Sequence, residues 1–334
     1  MVPAIAVADA LRADGAQVVF VGGQRAEAEL VPAAGYELET LRVEGISRSN
    51  PLKAARALGR AGTALVAARA ILARHRPQVI LGGGGYVAGP VGLAGLLRGI
   101  PLVLTEADSH LGLTNRALAG RAHRVCLAFP LPGREGPRYV VTGRPVPPAT
   151  ADRAAARARF GFGAEERVVL VFGGSLGARS INLSAPEAFA DASFRVLHVA
   201  GRRDAGLVEA PGPHYVLRDY VAPFGDALAC ADLAVARAGG SIFELAQFGL
   251  PALLVPYPHA SADHQSTNAA WMRQAGAAVV VPDDELDAGR LRREVDALLA
   301  DPARLAAMAA AAAALARPDA ARAVAREVLA AVRD

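Results

Sequence analysis

Four glycine-rich turns stand where a main chain could hold an anion. Gly82-Gly83-Gly84-Gly85-Tyr86 runs into Val87-Ala88-Gly89-Pro90, and Gly22-Gly23 follows the apolar run 18–21. Gly173-Gly174-Ser175-Leu176-Gly177-Ala178-Arg179 follows 168–172, and Arg237-Ala238-Gly239-Gly240-Ser241 follows 233–236. Each preceding run reads as a short buried strand, and the last two turns each open a helical pattern. At the carboxyl end of such a strand, free N–H groups and a helix N-terminus attract negative charge, and glycine lets a ligand approach the backbone. Read singly, each turn is equally a strand cap in a tight α/β fold. The pair 173–179 and 239–241 in one half of the chain favours a diphosphate ligand.

Glu244 lies four residues beyond Gly240, one turn inside the helix that 239–241 would start. A carboxylate there could accept both hydroxyls of a ribose whose phosphates sit on that N-terminus. It is equally a first-turn Glu complementing the helix dipole. His259 and His264, with Asp263 and Gln265, lie on a proline-bounded loop. They are five apart and lack a third strong ligand, so no metal site is expected. Asp283-Asp284-Glu285 reads as a cap on the helix that follows. No Walker loop occurs.

Positioning these turns requires alternating strands and helices. Apolar runs at 79–81, 102–104, 125–128 and 140–141 join 18–21 in the first half; runs at 196–199, 252–255 and 278–280 join 168–172 and 233–236 in the second. Helical patterns at 3–13, 51–74 and 179–190 lie between them. Near-continuous apolar strands separated by helices predict parallel sheets covered on both faces. A polar, proline-rich joint, Gly143-Arg144-Pro145-Val146-Pro147-Pro148, falls near the middle. The expected layout is an N-terminal Rossmann-like domain over 1–143, a hinge over 144–150 and a second such domain over 151–316. A C-terminal helix over 317–334 could pack back on the first domain. The chain opens in a helix, with Pro3 in its first turn and Gly15 just past its end. A doubly wound domain normally begins with a strand and a phosphate-type loop, so the expectation is an atypical domain or an N-terminus lacking that strand and loop.

Hydrophobic residues make up 53% of the 334 and charged residues 20%, which excludes a disordered chain. Aromatics at 5% leave the core to Ala, Val and Leu. Cys126 and Cys230, far apart in apolar, strand-like contexts, exclude a disulfide framework and a metal spacing. A net charge of +4 permits contact with an anionic surface without demanding it. The longest apolar run, 305–316, falls short of the ~18 residues of a spanning helix. No secretory signal pattern opens the chain. The expectation is a cytoplasmic protein.

Taken in order, these segments resemble a known family. Gly83-Gly84-Gly85-Tyr86-Val87-Ala88-Gly89-Pro90, Gly112-Leu113-Thr114-Asn115-Arg116 and the 173–179 turn come first. Arg237-Ala238-Gly239-Gly240-Ser241 with Glu244, Gly249-Leu250-Pro251, and His264-Gln265 with Asn268-Ala269 follow. The chain resembles the bacterial MurG-type UDP-N-acetylglucosamine–N-acetylmuramyl-(pentapeptide) pyrophosphoryl-undecaprenol N-acetylglucosamine transferases over essentially its whole length. The resemblance implies an α/β GT-B fold, two Rossmann-like doubly wound domains with a central cleft. It also implies transfer of N-acetylglucosamine from UDP-N-acetylglucosamine to the C4 hydroxyl of the undecaprenyl-diphosphate-linked muramoyl-pentapeptide, with inversion. By resemblance, Ser175 and the 239–241 turn (Gly239, Gly240, Ser241) hold the donor diphosphate. Val221 sits where a backbone reads the uracil, Glu244 takes the ribose hydroxyls, and Gln265 holds the sugar hydroxyls. Gly84, Gly85 and Tyr86 fall on the acceptor side.

The chain also departs from the family's pattern. The first family loop, Gly-Gly-Thr-x-Gly-His, has no counterpart before Met1. The family's Glu-Gln-Asn triplet reads Glu106-Ala107-Asp108, placing Asp108 where an Asn contacts the donor, and Pro147 replaces a hinge Arg to which Arg144 is close. Asp108, with His110 behind it, is the candidate base. No tightly bound cofactor, metal or nucleic acid is expected. Partners are UDP-N-acetylglucosamine, the lipid-linked acceptor and an anionic membrane surface on the cytoplasmic face. Lys53, Arg56 and Arg60 share one face of the 51–77 helix and could meet that surface, or that helix is an ordinary core-facing one with solvated arginines. The alternatives to this function are another GT-B enzyme acting on UDP-sugars and a non-catalytic UDP-sugar-binding protein.

Overall fold

The computed structural model describes the whole chain except Arg25, residues 42–50, Pro148, Thr150, residues 174–177 and 261–262, and Asp334. The side chains of Ala26, residues 51–61 and Arg333 are likewise outside the described set, so Lys53, Arg56 and Arg60 are known only as helix backbone. The chain divides into two units, Met1–Val146 with Arg317–Asp334, and Pro147–Ala316.

In the first unit, α1 (Val2–Ala13) carries proline in its first turn, where a missing N–H costs nothing, and ends before Gly15, whose φ is +84°. β1 (Val19–Gly22), α2 (Ala26–Ala33) and β2 (Glu37–Thr40) follow, and the two strands pair in parallel. After α3 (Pro51–His75), the strands β3 (Ile80–Gly82), β4 (Leu102–Glu106), β5 (Arg124–Leu127) and β6 (Tyr139–Val141) form a parallel sheet in that order. α4 (Gly85–Leu96) and α5 (Leu113–Leu118) connect them. The last helix of the chain, α13 (Ala320–Arg333), belongs to this unit. Its Val324, Val328 and Ala331 recur at helical spacing and pack with Val7 and Leu11 of α1 and with Val103 and Cys126 of the sheet.

The second unit runs through α6 (Arg153–Phe160), β7 (Val168–Phe172), α7 (Arg179–Ala188), β8 (Arg195–Val199), β9 (Tyr215–Arg218) and α8 (Gly225–Cys230). It continues through β10 (Leu233–Ala236), α9 (Ile242–Gln247), β11 (Ala252–Leu254), α10 (His264–Gln274), β12 (Ala278–Val280), α11 (Ala288–Leu299) and α12 (Pro302–Ala314). Its six strands are all parallel, in the order β12-β11-β10-β7-β8-β9. Every residue of β7 and β10 is buried, as two-sided covering by helices requires. The chain winds outward from β7 to β9, then crosses back to set β10 on the other flank of β7. That reversal is a topological switch point, where doubly wound sheets open a crevice beyond the strand ends.

Two local readings need correction. Cys230 closes helix α8 rather than lying in a strand, although it is fully buried like Cys126. Residues Asp283–Glu285 form a 3-10 turn and do not cap α11. That cap is Asp287, whose Oδ1 accepts from the Arg290 amide at 2.6 Å, which leaves Asp283 free for another partner.

Candidate functional site

The switch point brings side by side the strand ends that lead into two of the glycine turns. Phe172, the last residue of β7, pairs in register with Ala236, the last residue of β10, so the chain leaves the sheet at Gly173 and at Arg237 side by side. Ser175 falls within 174–177, outside the described residues. Gly239, Gly240 and Ser241 are half-buried, and among the described residues none of their amides has an acceptor. Their carbonyls instead start α9, accepting from Ile242, Phe243 and Leu245. N–H groups left without an acceptor at a helix start suit a phosphate.

The other expected donor residues surround this turn. Gln265, in the first turn of α10, accepts from the Tyr257 amide at 3.0 Å, and its Nε2 stands 3.9 Å from where a Cβ on Gly239 would lie. Asn268, one turn later, donates to the Ala238 carbonyl at 2.9 Å and pins the turn from beneath. Its own Oδ1 is buried without a partner among the described residues. Glu244 is half-buried one turn into α9. Val221 is buried in the connection after β9, and Phe224 of that connection packs edge-on against Phe172 with ring centres 5.0 Å apart. The segment that carries Val221 is thereby tied to the end of β7.

Arg237 was legible as a letter of a motif but carried no assigned role, and Ser180 and Asn182 stood out in no motif. Arg237 is buried and donates to Ser180 Oγ, Asp283 Oδ1 and two carbonyls at the end of β11. Asn182 of α7 donates to the Ala200 carbonyl and to Asp204, and its Oδ1 meets His198 Nε2 at 2.9 Å. An amide oxygen only accepts, so Nε2 carries the proton and Nδ1 accepts from Tyr215 Oη at 2.7 Å. Burial keeps this imidazole neutral and pushes its pKa down to about 4. A polar residue inside a fully apolar strand pattern, as His198 is in β8, was the available signal.

A second polar cluster closes the strand ends of the first unit. Glu106, the last residue of β4, is buried; its Oε1 accepts from the Asp108 amide at 3.2 Å. Its Oε2 accepts from the Gly112 amide at 2.8 Å and from Asn115 Nδ2 at 2.9 Å. Gly84 and Gly85 hold φ of +77° and +74°, a conformation that side chains strain. A Cβ on Gly84 would lie 3.5 Å from Asn115 Nδ2, and Thr114 Oγ1 donates to the Gly85 carbonyl at 2.8 Å. The 83–86 turn and the 106–115 loop are thus one assembly, with Tyr86 exposed at its edge. Asp108 and His110 are half-buried within that loop. Arg144, after β6, is half-buried, and its charge adds to burial in lowering the pKa of the Met1 amino group.

Among the described residues, one set of possible metal ligands converges: Glu37, Glu39 and His75. His75 Nε2 lies 2.7 Å from Glu39, and Arg74 reaches the same carboxylate at 3.4 Å. His259 and His264 take no part in it.

Residues 1–127 match the glycosyltransferase family 28 N-terminal domain, and 168–324 match its C-terminal domain. The chain is 42% identical to a UDP-N-acetylglucosamine–N-acetylmuramyl-(pentapeptide) pyrophosphoryl-undecaprenol N-acetylglucosamine transferase of Moorella thermoacetica, over 98% of this chain and 94% of that protein. Among solved structures, Acinetobacter baumannii MurG superposes with a TM-score of 0.79 at 27% identity, covering 98% of this chain and 95% of that one. CalG4, the calicheamicin glycosyltransferase, superposes with a TM-score of 0.70 at 20% identity over 99% and 94%, a likeness of fold alone. Two α/β units with parallel sheets are the GT-B architecture, as expected.

Proposed function

The chain belongs to glycosyltransferase family 28, among the UDP-N-acetylglucosamine–N-acetylmuramyl-(pentapeptide) pyrophosphoryl-undecaprenol N-acetylglucosamine transferases, and from that membership we propose how its residues perform the transfer. The donor is UDP-N-acetylglucosamine. The acceptor is the C4 hydroxyl of N-acetylmuramoyl-pentapeptide on undecaprenyl diphosphate. The acceptor oxygen attacks the anomeric carbon in line, the bond from that carbon to the β-phosphate oxygen breaks, and UDP departs with inversion. The reaction contributes to peptidoglycan synthesis.

The observation that carries the donor assignment is the adjacency, at the switch point, of the strand ends that lead into the two glycine turns, with Gln265 facing Gly239. Ser175, Gly239, Gly240 and Ser241 receive the diphosphate, whose growing charge in the transition state fixed N–H dipoles stabilise. Glu244 binds the ribose hydroxyls, the Val221 backbone reads the uracil and Gln265 binds the sugar; Arg144 is assigned to the donor as well. On the first unit, Gly84, Gly85 and Tyr86 serve the acceptor. Asp108 accepts the proton of the attacking hydroxyl, with His110 as the neighbouring alternative.

The acceptor's lipid stays in a bilayer, so the enzyme works at a membrane surface as a peripheral protein on its cytoplasmic side. Among the described residues, no single helix is long and apolar enough to cross a membrane. Helix α3 supplies the docking face through Lys53, Arg56 and Arg60, supported by the exposed Val66 farther along it.

The test is transfer from radiolabelled UDP-N-acetylglucosamine to the purified lipid-linked acceptor, with product chromatography and UDP release measured together. Stoichiometric glycolipid and UDP are expected. Glu244→Ala should weaken donor binding by about 1.5–3 kcal/mol, the usual worth of a hydrogen bond to a charged group. Conversion of the donor to an epimer, or UDP release without glycolipid, would overturn the assignment.

A further inference from the structure

The two glycine turns of the second unit belong to different strand–helix joints, and a diphosphate held by both requires a fixed distance between them. The Arg237 side chain reaches from one joint to the other. It lies two residues before Gly239 and is buried. One terminal nitrogen donates to Asp283 Oδ1 at 2.6 Å and to the Val255 and Pro256 carbonyls at 3.1 and 3.2 Å. The other donates to Ser180 Oγ at 2.8 Å, and Ser180 donates in turn to Asp283 Oδ1 at 2.6 Å. Ser180 is the second residue of α7, directly after the 173–178 turn. The guanidinium also lies 5.5 Å from the ring centre of Tyr257, whose amide holds Gln265. A single planar fork thus ties the start of α7, the end of β11, the turn after β12 and the 238–241 turn to one another.

We propose that Arg237, closed on Ser180 and Asp283, is a positioning residue that holds the start of α7 at a set spacing from the 238–241 turn for the diphosphate of the nucleotide. The proposal rests on the donor assignment above and goes beyond it, because none of the three residues is among those assigned to the ligand. The Asp283 carboxylate neutralises Arg237, so its contribution is geometric and not a direct attraction for phosphate. Turns held at the ligand's spacing beforehand lose no affinity to ordering them. Lysine cannot replace the fork, since an ammonium offers three tetrahedral donors in place of a planar set.

The experiment compares UDP with uridine by titration calorimetry on the full chain, for wild type, Ser180→Ala and Arg237→Lys. Uridine carries the groups assigned to Val221 and Glu244 but no phosphate. Wild type should bind UDP more tightly than uridine. Each variant should lose roughly tenfold in UDP affinity while uridine affinity stays within about twofold, with an unchanged far-UV spectrum. Ser180→Ala removes one oxygen and is the decisive variant if Arg237→Lys fails to fold. Unchanged UDP affinity in Ser180→Ala would overturn the proposal. So would a parallel loss of UDP and uridine, which marks a general structural defect. Failure of wild type to prefer UDP is a separate result that removes the donor assignment itself, and the proposal with it.

Discussion

Asn115 and Glu106 clasp the two ends of one loop, the Asn115 amide donating to Glu106 Oε2 at 2.9 Å while the same carboxylate receives the amides of Asp108 and Gly112. Glu106 therefore accepts three hydrogen bonds from a buried position. A glutamine there would turn an N–H₂ toward one of those donors. Glu106→Gln should cost about 1–3 kcal/mol in stability, the range for a buried group left unpaired, and should lower turnover without weakening UDP binding. Urea unfolding and calorimetry read the two effects separately. A variant as stable as wild type would show that the clasp is dispensable.

Asp108 is the residue this clasp presents. Asp108→Asn keeps the shape and removes the base, so single-turnover transfer at saturating donor should fall by about 10²–10⁴. His110→Gln should have a smaller effect. If Asp108→Asn keeps nearly full turnover, the proton is taken elsewhere.

His198 couples the second unit's stability to pH. Burial depresses its pKa to about 4 from an ordinary 6.5. Between those values the unfolded chain binds a proton that the folded chain refuses, so stability is complete above pH ~6.5 and declines as pH falls toward ~4. The shift corresponds to about 3 kcal/mol. Denaturant unfolding of wild type and His198→Gln from pH 4 to 7 should show that decline in wild type and a shallower one in the variant. Identical slopes would assign the decline to other groups.

Much of the architecture was readable as alternating apolar runs and helical patterns, because parallel strands buried on both faces leave an unbroken apolar signature. Lateral strand order was not. Nothing in the runs 168–172 and 233–236 says that β7 and β10 are neighbours, and the adjacency of the strand ends that lead into the glycine turns follows only from that pairing. The donor-side residues were readable because they are letters of ordered motifs. The groups that support them were hidden for a physical reason: Ser180, Asn182 and Asp283 are polar residues whose partners lie far along the chain. Asp283 was expected to cap a helix by proximity, yet Asp287 takes that position and Asp283 turns to Arg237, 46 residues away.

Membrane docking is tested by sedimentation with anionic and neutral vesicles. Lys53, Arg56 and Arg60 changed together to Gln should lower binding to anionic vesicles by roughly a hundredfold, at about 1 kcal/mol per basic residue near such a leaflet. Binding to neutral vesicles should not change. Equal binding of both proteins to anionic vesicles would exclude this helix as the docking face.

Helix α13 adds a consequence for synthesis. The core of the first unit joins Val7 and Leu11 to Val324, Val328 and Ala331, residues that lie on either side of the whole second unit in sequence. A ribosome delivers Val7 before Ala331, and the whole of Pro147–Ala316 emerges between them. The second unit therefore has all its strands in hand while the first still lacks its covering helix. The order of completion is inverted relative to the order of translation, and the face of α1 that awaits α13 is the surface a nascent-chain chaperone would have to shield.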